Sequence, residues 1–144
     1  MDINKPRTFT VELNVPVRGL TARHANEIRQ LLAEQLPELA STREVENFHI
    51  VLVASNTERT IYFRFGTTLH IVFTAYGLPE ELVLLKGDIE ERLAGISIDY
   101  PKMERPDIRI SWVERTDHGH RSFELTLVNE AEGELEATAM ARIS

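Results

Sequence analysis

The sequence contains no cysteine among its 144 residues, which excludes disulfide bonds, thiolate metal ligands, a cysteine nucleophile and thiol redox chemistry. It has only seven glycines, and neither GxGxxG nor the Walker A phosphate-binding loop occurs. The HExxH, GxSxG and EF-hand patterns are also absent. We therefore expect no cofactor and no built metal site.

The sequence also lacks long apolar runs and an excess of positive charge. No segment approaches the roughly 20 apolar residues that span a bilayer, and residues 1–7 have no signal-peptide core. The 16 lysines and arginines are dispersed among 23 acidic residues, for a net charge of −7. Binding to a phosphate backbone depends on clustered cations. We therefore expect a cytoplasmic protein that binds neither nucleic acid nor membrane, with residues 1–144 as one domain.

Apolar and polar residues alternate along much of the chain, which predicts β-strands. Residues 8–17 are the clearest case, because every second residue is apolar. Turn-forming residues separate the other predicted strands. The predicted strands are residues 8–17, 45–55, 60–65, 68–76, 96–100, 107–115, 122–128 and 134–143.

Two segments have apolar residues spaced three or four positions apart, as in an amphipathic helix. Thr21 is a suitable N-cap for a helix running to about Leu36, where Pro37 removes a backbone donor and should end it. A second helix is predicted from about Pro79 to Ala94, followed by a glycine of the kind that terminates helices.

The element order β-α-β-β-β-α-β-β-β-β predicts an α+β fold with two helices packed on an antiparallel sheet. Strands 45–55 and 68–76 are apolar on both faces, which is typical of strands covered on both sides. The second face should therefore meet either a folded-over sheet or another subunit, and we expect a homo-oligomer, most commonly a dimer. The residues predicted to form this interface are Val51, Val53, Val72, Val113 and Val128.

Two strand histidines are candidates for acid–base chemistry or for metal binding. His49 and His70 each begin the tripeptide His-Ile-Val. Two-histidine phosphodiesterases show a similar pairing, but they place Ser or Thr where Val51 and Val72 stand here. The alternative is two ordinary strand histidines. A further pair, His118 and His120, flanks a predicted turn next to Asp117, where the three could hold a metal ion. A polar, solvent-exposed turn is the alternative, and we prefer it.

The second predicted helix carries acidic residues beside a mid-helix glycine. Glycine in the middle of a helix lowers helix stability by about 1 kcal/mol relative to alanine, so Gly87 suggests a packing or functional reason. Asp88 and Glu91 lie close to it and are therefore candidate catalytic carboxylates. With the alternating hairpins that follow, residues 78–143 resemble the latter half of a hotdog-fold thioesterase. That resemblance implies a helix wrapped by the sheet and a helix carboxylate acting on an acyl thioester. The N-terminal half departs from the pattern, and a solvated acidic helix face is the alternative.

Two functional hypotheses follow from these observations. The first is a non-enzymatic protein-binding or assembly protein that uses its sheet surface, such as an accessory subunit, an inhibitor or immunity-type protein, or a virion component. Its partner is another protein or a second copy of itself. The alternative is a small hydrolase, lyase or thioesterase-like enzyme acting on an apolar acyl substrate. Its candidate residues are Asp88, Glu91, His49 and His70.

Overall fold

A computed structural model describes residues 3–17, 20–59, 65–129 and 133–140. Their strands and helices follow one another in the order β1-α1-β2-β3-α2-β4-β5-β6. The strands are β1 (Arg7–Pro16), β2 (Val45–Arg59), β3 (Phe65–Gly77), β4 (Asp107–Thr116), β5 (Gly119–Asn129) and β6 (Glu134–Ala139). The helices are α1 (Ala22–Ser41) and α2 (Pro79–Asp99).

All six described strands form one antiparallel sheet, in the order β2-β3-β1-β4-β5-β6. Residues 8–17 were predicted as a strand, and β1 now lies near the centre of the sheet between β3 and β4. The predicted α+β class, with two helices on an antiparallel sheet, is confirmed. The alternative of a second, folded-over sheet does not occur among the described strands.

One face of the sheet is covered by both helices. The alternate residues Phe9, Val11 and Leu13 of β1 are buried there, together with the equivalent positions of β3 and β4. The helices contribute apolar stripes at helical spacing to the same core. Trp112 lies in this layer between Phe9 and Phe123, with ring centroids 5.5 and 5.6 Å away.

The opposite face, called the open face below, is formed by the residues that alternate with the core. Cross-strand pairs such as Glu12 with Arg109 and Thr10 with Ser111 define it. The described helices pack only on the other side of the sheet. Open-face residues include Thr8, Thr10, Glu12, Asn14, Glu46, His49, Leu52, His70, Val72, Thr74, Tyr76, Asp107, Arg109, Ser111, Val113, Arg115, His120, Ser122, Glu124, Thr126, Glu136 and Thr138.

Both helices are longer than predicted. The predicted strand at residues 96–100 was wrong, because α2 continues to Asp99 and buries Ile96 on the same stripe as Leu93. Likewise, α1 passes through Pro37 and ends at Ser41, burying Ala40. The apolar contacts of these last turns offset the backbone hydrogen bond that proline cannot make.

The region predicted as three strands contains two in the described residues. Residues 60–64, most of the predicted middle strand, lie outside the described residues, and Phe65 belongs to β3. In β2 the pairing register shifts between Glu46 and His49 and again between Ile50 and Leu52. The second shift exchanges the two faces, so Val53 lies on the same side as Ile50 and packs against the helix-covered core and not on the open face.

No helix in the described parts of the chain is long and apolar enough to cross a membrane.

Candidate functional site

The two strand histidines do not form a pair. His49 is the cross-strand partner of Thr74, whereas His70 lies four residues earlier on β3, a distance of about 13 Å along a strand. His70 instead contacts Asn14 on β1, with Nδ1 2.7 Å from the side-chain oxygen. Because an amide oxygen only accepts, Nδ1 is the donor in this contact. The histidines therefore do not converge on one cleft.

Asp88 forms a two-bond ion pair that the sequence did not indicate. Arg43, just beyond the end of α1, donates from Nε to Oδ2 at 2.7 Å and from a terminal nitrogen to Oδ1 at 2.8 Å. The hydrogen bonds from Arg43 lower the pKa of Asp88 below its ordinary value, against a smaller opposing effect of burial. Both carboxylate oxygens are engaged and the group is held ionised, which makes it poorly suited to donate a proton.

Glu91 is exposed on the wall of a groove that runs between α1 and α2. The groove has a volume of about 690 Å³ and is lined by both apolar and charged residues, including Leu31, Leu39 and Asp88. It lies on the helix layer, on the side of the sheet opposite to His70. The four predicted catalytic residues are therefore divided between two surfaces.

Several polar contacts connect α1 and the residues just beyond its end to α2. Besides Arg43 and Asp88, Arg92 donates to the side-chain oxygen of Gln35 at 3.0 Å. At the other end the hydroxyl of Tyr100 donates to Glu27 Oε2 at 2.7 Å. These contacts give Asp88 a structural role in holding the helices side by side. They join residues 45 to 73 positions apart, so no local pattern could have revealed them.

The arrangement around α2 differs from the one that the thioesterase resemblance implied. There, a single helix is wrapped by the sheet. Here, α2 shares one face of the sheet with α1, and the segment at residues 96–99 that should have been a strand belongs to the helix.

The β4–β5 hairpin carries His118 and His120 as exposed residues. Among the described residues, no group of three or more histidines and carboxylates is placed to hold a metal ion.

The open face carries apolar side chains among short polar ones. Val113, on the central strand β4, is 61% exposed, and its same-face neighbours include Ser111 and Ser122. Val72, Leu52 and Tyr76 extend the apolar contribution across β3 and β2. Two further predicted interface residues, Val51 and Val128, are exposed at register shifts of β2 and β5. Of the five predicted interface valines, only Val53 is on the helix-covered side.

Charges on the open face have both signs. Arg109 and Arg115 lie on β4, and acidic residues lie on the neighbouring strands, Glu12 on β1 and Glu124 on β5. The helices are more acidic. Helix α2 holds six acidic and two basic residues, and α1 holds three acidic and two basic residues, so the helices carry −5 of the net −7.

Comparisons with known proteins identify no family for this chain: no protein-family model and no curated protein matches it. Among solved structures, the chain is similar to LarC2, the C-terminal domain of a cyclometallase involved in the synthesis of the NPN cofactor of lactate racemase, in its apo form. The likeness covers 94% of this chain and 81% of that one, at 9% identity and a TM-score of 0.35. At that score the likeness gives no information about what this chain binds or does.

Proposed function

We propose that this chain is a non-enzymatic protein-binding or assembly protein whose binding surface is the open face of the sheet. The observation that carries the proposal is Val113. It is a β-branched apolar residue on a central strand, and it is 61% exposed where the described chain leaves the sheet uncovered. Burying such a side chain against a partner is favourable by roughly 25 cal/mol per Å² of apolar surface.

The composition of the open face suits reversible association. Its valines, Leu52 and Tyr76 stand among threonines, serines and charges of both signs. Non-obligate protein interfaces are about as apolar as the remaining surface, with polar groups supplying hydrogen bonds at the rim. A mixed face of this kind remains wettable in the free protein and still offers apolar contact to a partner.

The positions of the catalytic candidates favour this proposal over the enzyme alternative. Asp88 is paired with Arg43 on the helix layer, and His70 contacts Asn14 on the other side of the sheet. Acid–base catalysis needs its groups within hydrogen-bond reach of one substrate. Among the described residues, these candidates do not lie around one place where a substrate could reach them together.

The test compares two matched substitutions in a pull-down with the purified chain as bait. Val113→Glu places a charge on the open face, and Ile98→Glu places the same charge at a position of α2 that is 80% exposed. We expect the wild type and Ile98→Glu to retain a stoichiometric protein partner, which can be a further copy of the chain, and Val113→Glu to lose it. Both variants are first shown to melt cooperatively like the wild type. Retention by Val113→Glu, or the absence of any stoichiometric partner, would overturn the proposal.

A further inference from the structure

We infer that the partner on the open face is a second copy of this chain, packed face to face about a two-fold axis close to Val113. This inference rests on the proposed function and identifies the partner of the same surface. Three observations support it: the area of the face, the distribution of charge, and the position of Val113.

The open face has the area that a stable dimer needs. Six strands, with the central ones ten residues long, present a face on the order of 800 Å² at a strand spacing of about 4.8 Å and a rise of about 3.3 Å per residue. A standard protein–protein interface buries about 800 Å² on each partner. A second sheet of the same dimensions therefore offers enough area for a standard interface.

The charge distribution directs self-association to the sheet side. Two copies that met through their helices would bring together two layers that each carry a net charge of −5, and these layers would repel each other. The rest of each chain carries a net charge of only −2. On the open face, Arg109 faces Glu12 of β1 and its Nε is 3.1 Å from Asp107 Oδ2 on the same strand, whereas Arg115 lies two residues beyond Val113. A copy rotated by a half turn and crossed at the usual angle of packed sheets can place Arg109 or Arg115 near an acidic side chain of its partner.

Val113 lies on a central strand of the open face, where a two-fold axis can pass beside it. In an isologous dimer, residues near the axis meet their own counterparts. β4 is one of the two central strands, and the side chains beside Val113 on this face include the shorter Ser111 and Ser122. With the axis beside β4, the partner's Val113 gives this exposed side chain an apolar contact in the interface.

The absence of cysteine allows a clean crosslinking test. Val113→Cys and Ile98→Cys each introduce one thiol, on the open face and on α2 respectively. Facing sheets are about 10 Å apart, too far for an unstrained disulfide, so a short bismaleimide is the suitable reagent. We expect Val113→Cys to give a covalent dimer in high yield at micromolar concentration, and Ile98→Cys to remain monomeric under the same conditions.

Sedimentation equilibrium of the full wild-type chain accompanies the crosslinking. We expect a monomer–dimer equilibrium whose dissociation constant rises at least tenfold in Val113→Glu and stays within about twofold in Ile98→Glu. A wild type that is monomeric at all concentrations overturns the inference. The proposed function survives that result if a different protein is retained by the wild type and lost by Val113→Glu. A dimer crosslinked through Ile98→Cys and not through Val113→Cys overturns the inference and assigns self-association to the helices.

Discussion

Arg43 and Asp88 are 45 positions apart in the chain, and they form two parallel hydrogen bonds of 2.7 and 2.8 Å between the end of α1 and the middle of α2. The planar guanidinium matches both carboxylate oxygens, which is the strongest geometry for such a pair. The contact turns a carboxylate that looked like a candidate catalyst into a tie between the two helices.

Replacing this carboxylate should weaken the fold in a pH-dependent way. Because the pKa of Asp88 is lowered in the folded state, the ion pair contributes stability above the ordinary pKa of 3.8, and the contribution is lost as pH falls through the folded value. We therefore expect Asp88→Asn to melt a few degrees below the wild type at pH 7, with the difference shrinking below pH ~4. Thermal melts by circular dichroism across this range measure it.

Glu90→Gln is the matched control, because it removes one exposed negative charge from the same helix. Its melting temperature should follow that of the wild type at every pH. If Asp88→Asn and Glu90→Gln behave alike, the ion pair contributes nothing beyond the general charge of α2.

Tyr100 should ionise at a higher pH than an ordinary tyrosine. Its hydrogen bond to Glu27 raises the pKa of the phenol above 10.0, with burial as a second cause. We expect Glu27→Gln to lower this pKa, because the neutral amide no longer opposes the phenolate, whereas Glu34→Gln on the exposed side of α1 leaves it unchanged. The measurement is a phenolate absorbance titration in a background where Tyr62 and Tyr76 are phenylalanine. An identical titration for all three proteins would contradict the contact.

The same shift has a consequence for stability at high pH. Since the folded state disfavours the phenolate, the contribution of Tyr100 is present below its ordinary pKa and is lost as pH rises through the folded value. As pH rises through this range, the free energy of unfolding of the wild type should therefore fall more steeply than that of Tyr100→Phe.

Two glycines in α2 should be replaceable with a gain in stability. A Cβ added at Gly87 or Gly95 meets nothing within 4 Å, so alanine removes the entropic cost of glycine without a clash. We expect each alanine variant to raise the free energy of unfolding by up to about 1 kcal/mol, measured by urea denaturation.

At Gly77, a Cβ would lie 3.1 Å from the Glu44 carbonyl oxygen, so Gly77→Ala should lose stability. A loss at both helical glycines would mean that this face of α2 is closely covered by something in solution.

Adjacent leucines on α2 should respond in opposite ways to the same change. Leu85 is 1% exposed and Leu84 is 46% exposed. Leu85→Asp should abolish cooperative folding, because it buries a charge without a partner, and Leu85→Ala should cost about 2–5 kcal/mol. Leu84→Asp should stay within about 0.5 kcal/mol of the wild type. Equal effects in urea denaturation would show that the assigned helix face is wrong.

Local patterns predicted the features that depend on neighbouring residues. The alternation in residues 8–17 identified β1 and its buried face, because successive strand residues point to opposite sides. Thr21 was predicted as the N-cap of α1, and its hydroxyl accepts the backbone N–H of His24 at 3.2 Å. The apolar stripe of α2 was likewise predicted from helical spacing, and Leu82, Leu85, Ile89 and Leu93 are buried.

The sequence by itself therefore determined the type of most elements, their buried stripes and the α+β class. Tertiary structure decided the rest. Packing against the sheet carried α1 beyond Pro37 and α2 beyond Gly95, because buried contacts of Ala40 and Ile96 outweigh local signals to stop. The second register shift in β2 placed Val53 in the core beside Ile50, and the approach of two helices brought Arg43 to Asp88. These outcomes depend on free energies gained only when distant segments meet, and such terms leave no trace in a local pattern.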